Sequence, residues 1–450
     1  MHDSGQQAEG VFRKPIDRVI DPMKRFIHKS STSGIILFSS ALLAILIANS
    51  PWAEGYHHFW EKEFAIGFDG RVLSKSLHHW INDGLMAVFF FVVGLELKRE
   101  IMAGELRSPR KAILPIAAAA GGMIFPALIY LAFNRSGDTT AGWGIPMATD
   151  IAFALGVLYL LGDRVPISLK IFLTALAIAD DLGAVLVIAF FYTSEIHTES
   201  LLRAAINLGI LFAANRLGVR STLFYAIVGI GGVWLAFLLS GVHATIAAVL
   251  AAFTIPASVK VNEDYFSKRM QNLLNKFRVA EPNDNSLVTG EQLHLIEEMR
   301  GVSEKALTPL QRLEHGMHPL VAYVIMPIFA LSNAGVHLGA NITEQLMSPV
   351  TIGVFAGLML GKFLGVMTMV LLLTKMKWAE LPEGMGRLHL VGAALLAAVG
   401  FTMSLFISGL AFEDPHYIEN AKLGILLASV LASVAGYFVI RRAVRQSPAG

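Results

Sequence analysis

The chain has 450 residues, 36 Lys and Arg against 34 Asp and Glu, and a formal net charge of +2. Charged residues are 16% of it and apolar ones 54%, whereas soluble domains carry roughly 25% charge. That balance excludes a disordered chain, lacks the basic excess of a nucleic-acid binder, and with no Cys excludes disulfide frameworks, thiolate metal centres and Cys nucleophiles. There are too few charges to coat several soluble domains, so the class is membrane protein.

A helix that crosses a bilayer needs about 20 mostly apolar residues. In chain order the sequence predicts twelve such spans: 32–50, 80–97, 112–133, 142–161, 167–192, 200–215, 221–239, 242–257, 319–338, 351–373, 388–412 and 420–440. The fold class is therefore an all-α polytopic membrane protein. Its parts are a cytoplasmic arm at 1–31, a transporter domain at 32–440 and a cytoplasmic tail at 441–450. With the N-terminus inside, cytoplasmic segments hold twenty-nine Lys and Arg, and the outer loops hold four, Lys62, Arg71, Lys75 and Arg135. This asymmetry places both termini in the cytoplasm. The first span is read as retained and not as a cleaved leader, because more than 30 residues precede it and eleven spans follow.

Two loops are long. In the outer loop, 53–79, apolar and small residues alternate over 64–68, Asp69-Gly70 is a two-residue turn signal, and an extended run follows from Arg71. This reads as a β-hairpin, with an irregular loop as the other reading. A lone hairpin is marginal in water, so an edge from a second subunit would complete it. The inner loop, 258–318, is polar and turn-rich at 281–286. Short amphipathic or cap-initiated helices are predicted over 289–299 and 303–315, within a solvated connector.

Four charges fall near mid-bilayer: Asp150, the adjacent pair Asp180 and Asp181, and Lys362. Each costs about 2.5–3.5 kcal/mol on insertion scales, or on the order of 10 kcal/mol for the set if unpaired. A buried ion pair that fixes packing explains Lys362 with one Asp, but not three acids with one base. Neighbouring helical residues point about 100° apart, so one of the pair can meet Lys362 while the other faces a polar cavity. Carboxylates suit a hard cation such as sodium. Crowded and desolvated, they also carry protons. Competition of both for the same oxygens, exposed alternately to each side, is sufficient for exchange.

The backbone around these charges is irregular. Pro146 lacks a donor and disfavours helix at Ile145, and Val399-Gly400-Phe401-Thr402-Met-Ser404 lies mid-span. Two helices interrupted at matching positions of spans three to five and ten to twelve point to a transporter's binding site. Ordinary Pro and Gly kinking is the alternative. Gly353, Gly357, Gly361 and Gly365 form a stripe that admits a close neighbour beside Lys362.

Over 32–440 the chain resembles the NhaA-type sodium/proton antiporters of bacterial inner membranes. The resemblance rests on Trp80-Ile-Asn-Asp83, on the run from Phe89 through Gly94-Leu-Glu96-Leu-Lys-Arg-Glu100, and on Ala148-Thr149-Asp150. It continues in Ala177-Ile-Ala-Asp180-Asp181-Leu-Gly, Ser240-Gly-Val-His243, Leu313-Glu314-His315, Gly361-Lys362, Gly400-Phe-Thr-Met-Ser404 and Ala421-Lys-Leu-Gly-Ile. It implies twelve helices with inverted repeats and two crossing broken helices. It also implies electrogenic, alkaline-activated export of sodium or lithium against protons, with these ions as substrates and no cofactor. By position it makes Asp181 the main cation ligand and proton carrier and Asp180 its acidic neighbour, paired with Lys362. It sets Thr149 beside the cation, and makes Asp150 and Lys362 the balance of the opposed helix ends.

Glu96, Glu100 and Glu314 match the family's pH-responsive cytoplasmic acids, with salt bridging to Lys98, Arg99 and Arg312 as the bland reading. His243 matches a family position, and a satisfied interfacial His is its plainer reading. Asp83 is explained by helix-end solvation as well as by function. The resemblance further implies a homodimer through 53–79. The inner loop and N-terminal arm are longer than the family pattern, and Gln311 replaces a basic residue; both departures bear on pH response.

Two other classes compete. An intramembrane aspartyl protease also sets acids on facing helices, but needs neither Lys362 nor two interrupted helices, and the Gly-x-Gly-Asp signature is absent. A passive cation channel predicts current without a proton gradient.

Overall fold

The computed structural model describes residues 32–68, 71–193, 197–280, 287–339 and 342–446. The arm at 1–31, the Asp69-Gly70 turn, the turn-rich 281–286 and the last tail residues, 447–450, lie outside them. The fold is almost wholly helical. Among the described residues, eight helices are long and apolar enough to cross a membrane: Leu77–Ala103, Pro109–Phe133, Asp138–Leu160, Ile167–Phe191, Pro309–Asn333, Pro349–Lys375, Arg387–Ala411 and Pro415–Gln446. A ninth candidate is Thr32–Ala48 taken together with Ala53–Glu61, which bends from it by 114°. Thr222–Leu238 and Ala244–Thr254 are shorter apolar helices, and Thr198–Arg216 carries Glu199, Arg203 and Arg216. The last helix runs through Arg441 and Arg442 to Gln446.

Burial follows the lipid logic. Phe190, Leu217, Leu223, Ile227 and Ile230 are exposed along the outside, where hydrocarbon would meet them, while Asp150, Asp180, Asp181 and Lys362 are buried. Large exposed apolar side chains of this kind mark a membrane-facing surface.

In the outer loop Glu63–Phe68 pairs antiparallel with Arg71–Ser76, register Glu63 to Ser76 through Phe68 to Arg71. The hairpin is tied back by Trp80 Nε1, which donates to Phe64 O at 2.9 Å. Before it, Tyr56 donates to Leu331 O at 2.5 Å.

The inner loop departs from expectation. Its first half is a helix, Glu263–Val279, capped by Asn262, with Glu263 and Asp264 in the first turn and Lys276 and Arg278 in the last. These end charges complement the helix dipole. Leu273 packs with Leu295 and Val302, flanked by Phe266, Phe277 and Met299. The second helix is Gly290–Ala306, opened by a Thr289–Gln292 capping box. Ser303 lies inside that helix and begins none. The next start is Thr308, whose capping box with Gln311 opens Pro309–Leu320. Thr and Gln three apart satisfy each other's backbone partners, so here Gln311 has a structural task.

Around the short helix Ala244–Thr254, carbonyls at its C-terminal end are met from three sides. Lys98 donates to Phe253 O at 2.7 Å and also to Ile255 O. Asn215 donates to Thr254 O at 2.5 Å, and Arg220 to Ser258 O at 2.7 Å. Cations at a helix C-terminus are favourable.

Candidate ion site at the helix crossing

Two interrupted helices meet at the centre. The first is a 3-10 stretch, Asp138–Met147, then extended backbone at 148–150, then Ile151–Leu160. The second is Arg387–Ala397, a break at 398–400, then Phe401–Ala411. Pro146 sits in the 3-10 stretch, where the tighter winding places the break just after it. The breaks are stitched together: Asp150 N donates to Val399 O at 2.7 Å, and Ser404 Oγ to Ile145 O at 2.8 Å.

A break exposes backbone groups that lipid cannot satisfy, so only a polar, protein-lined crossing tolerates it. Asp150 meets both helix N-termini here. Its Oδ1 accepts from Phe153 N at 2.9 Å, capping its own helix. Its Oδ2 accepts from Thr402 N at 3.1 Å and from the Thr402 hydroxyl, at the start of the facing half-helix. One carboxylate thus answers two positive helix ends.

Lys362 comes from the Pro349–Lys375 helix, where Gly357–Lys362 is wound as a π-turn. A π-turn re-aims side chains and is common at functional sites. The glycine stripe supplies the approach. A Cβ on Gly361 would lie 2.5 Å from Pro126 Cα, and one on Gly357 would lie 2.8 Å from Pro146 Cβ. Lys362 Nζ forms an ion pair with Asp180 Oδ2 and donates to Thr149 Oγ1 at 2.7 Å. That hydroxyl lies 2.6 Å from Asp180 Oδ2 and 2.8 Å from Ala397 O. Its single proton serves one of those acceptors while its lone pair takes the lysine.

Asp181 is different. It is 1% exposed, and neither carboxylate oxygen has a hydrogen-bond partner among the described residues. Asp180 also keeps Oδ1 unpartnered. Asp180, Asp150, Lys362 and Glu96 lie within electrostatic reach of Asp181. A buried carboxylate without partners is a costly arrangement in a folded chain, and the oxygens are free to take a cation or a proton. Among the described residues no three His, Asp or Glu converge to hold a resident metal.

The structure gathers Thr149, Asp150, Asp180, Asp181 and Lys362 at one place. It does not bring the other named residues there. Glu100 and Glu314 meet at Arg99, at 3.0 and 2.6 Å, toward the inner loop. Glu96 is near the same cluster. Among the described residues Lys98 and Arg312 make no ion pair there; Lys98 caps a helix instead. His243 Nε2 is 2.7 Å from Tyr192 O, a satisfied ring nitrogen. Asp83 pairs with His79 at 2.7 Å. Thr402 and Ser404 line the same crossing; two hydroxyls just after the second interruption are the signal the sequence offers for them. Ser429, which accepts from Phe401 N at 3.1 Å, carries no local signal.

The sequence profile described as Na+/H+ antiporter 1 matches residues 24–440. The chain is 50% identical to the Na(+)/H(+) antiporter NhaA of Oleidesulfovibrio alaskensis over 437 residues, 97% of each chain. It is 50% identical to the NhaA of Acidithiobacillus ferrooxidans, covering 93% of this chain and 96% of that one. It is 47% identical to NhaA 1 of Saccharophagus degradans, covering 96% and 93%.

Proposed function

The chain belongs to the Na+/H+ antiporter 1 family, and on that premise we propose how its residues carry the exchange. It is a multi-pass membrane protein and a secondary transporter that exchanges sodium for protons. Those ions are its substrates, and no cofactor takes part. The protease and channel readings have no support beside it.

The observation that carries the mechanism is the unpartnered, buried Asp181 carboxylate at the crossing. Sodium, or lithium, binds the Asp181 oxygens, with Asp180 Oδ1 and the Thr149 hydroxyl as neighbouring donors of electron pairs. Hard cations prefer such oxygens. A proton competes for the same carboxylate, so the site holds one or the other. Lys362 holds Asp180 by charge pairing, and Asp150 balances the opposed helix N-termini. Exchange is electrogenic in this reading, because the number of protons taken in exceeds the number of cations released. Glu96, Glu100 and Glu314, clustered at Arg99, with His243, tune the pH response.

The same reading gives twelve spans in inverted repeats, with the four shorter or more polar helices completing the count. Interrupted helices at matched positions are a pattern of this class of transporters. The charge asymmetry supports cytoplasmic termini in a bacterial inner membrane, an arm at 1–31 and a transporter domain at 32–440. The paired strands at Glu63–Phe68 and Arg71–Ser76, with an open edge, support a homodimer through 53–79.

The test is made in everted membrane vesicles at alkaline pH. Added sodium should dissipate a respiratory pH gradient, and Asp181→Asn should abolish the response at normal protein levels. Normal exchange by Asp181→Asn would overturn the assignment.

A further inference from the structure

Four N–H groups open every helix without an internal partner. In the half-helix Phe401–Ala411 the residue before it is Gly400, which has no side chain to cap with. Thr402 N is taken by Asp150 Oδ2. Phe401 N, one residue nearer the break, donates to Ser429 Oγ at 3.1 Å. Ser429 lies 28 residues on, in Pro415–Gln446, and is buried. The cap that the half-helix lacks locally is therefore supplied by another span. That span is also fastened to the Lys362-bearing helix, since Thr351 Oγ1 donates to Asn420 O at 2.9 Å. A Cβ on Gly424 would lie 2.7 Å from Thr351 O, so the two backbones touch.

We propose that Ser429 is a positioning residue for transport, the N-cap in trans of the second half-helix, and that it sets the affinity of the crossing for cations by neutralising an N–H beside Asp150. An uncapped helix N-terminus presents partial positive charge. Without the serine oxygen that charge stands next to the Asp150 carboxylate and acts on any cation bound at Asp181. It opposes sodium and the proton alike. The charged groups facing Asp181 are Asp180 on its own helix and Asp150, Lys362 and Glu96 on others; Ser429→Ala changes none of them. The inference rests on Asp181 being the ion site.

The test is sodium-dependent exchange in proteoliposomes across a pH series, with Ser429→Ala, Ser429→Thr and Asp181→Asn. Ser429→Ala should raise the KM for sodium at alkaline pH by about two- to fivefold, the range of a helix-end charge interaction. It should also move the acid limb of the activity profile to lower pH, because protons are repelled too, with maximal rate retained. Ser429→Thr, which keeps the hydroxyl, should restore both. A residue that only packs would lower folded yield or melting temperature and leave KM and the acid limb in place; that result overturns the proposal. Exchange that survives Asp181→Asn overturns the ion-site reading instead, so the two failures are distinct.

Discussion

Lys362 is bonded to Asp180 and not to its neighbour Asp181, although both carboxylates are buried on the same turn of helix. The roughly 100° between adjacent side chains separates a paired acid from an unpaired one. Stability and transport should separate in the same way. Asp180→Asn strands a buried ammonium, which costs about 3–5 kcal/mol when one partner of a buried pair is removed. Its melting temperature in detergent should fall clearly. Asp181→Asn removes a buried charge that no hydrogen bond holds among the described residues, so its melting temperature should equal or exceed that of the parent while exchange is lost. Equal destabilisation by both variants would contradict the pairing.

Thr402 gives Asp150 two hydrogen bonds, one from backbone and one from side chain. Thr402→Val keeps the shape and removes the hydroxyl. A hydrogen bond to a charged group contributes about 1.5–3 kcal/mol, so denaturation should come earlier by that amount. Thr402→Ser should be close to the parent. A valine variant as stable as the parent would show that the hydroxyl contact is idle.

Two glycines make a matched comparison. Gly361→Ala drives a methyl against Pro126 backbone, whereas a Cβ on Gly409 meets nothing within 4 Å. Overpacking costs typically about 1–3 kcal/mol, and the Pro126 contact displaces Lys362 next door. Gly361→Ala should lower both melting temperature and exchange; Gly409→Ala should leave both unchanged. Insertion and yield on a gel check that both proteins are made.

At the inner face, Thr308→Ala removes the reciprocal cap with Gln311. Loss of an N-cap costs about 0.5–2 kcal/mol, here confined to the first turn of Pro309–Leu320. Hydrogen exchange of amides in that turn should speed up while the amides around Asp181 keep their protection. Uniform acceleration across the chain would mean that the cap holds more than its own helix.

Much of this molecule was legible because lipid simplifies the reading. A charge at mid-span has few permitted explanations, and so Asp150, Asp180, Asp181 and Lys362 stood out before any contact was known. The glycine stripe and the two interruptions were readable for the same reason, since local composition alone marks them. The hairpin was readable from alternation and a turn signal. The helix Glu263–Val279 is not legible in the sequence, because a polar loop hides a single apolar face, Phe266, Leu273 and Phe277, that only a partner helix makes meaningful. The sequence points to Ser303 as readily as to Thr308 for the next helix start, because either is fit to cap. The cap from Ser429 and the π-turn at Gly357–Lys362 lay beyond sequence. Each depends on where a distant helix passes, which no local pattern encodes.

The Asp150 carboxylate has one oxygen on each of two half-helices. Those half-helices cannot part company without breaking one of its bonds, and neither can slide alone without dragging the carboxylate off the other. The crossing is thus a pivot shared by two levers. Any rearrangement that separated the two half-helices at that point would first have to break one of these bonds, so the crossing ties their positions to each other.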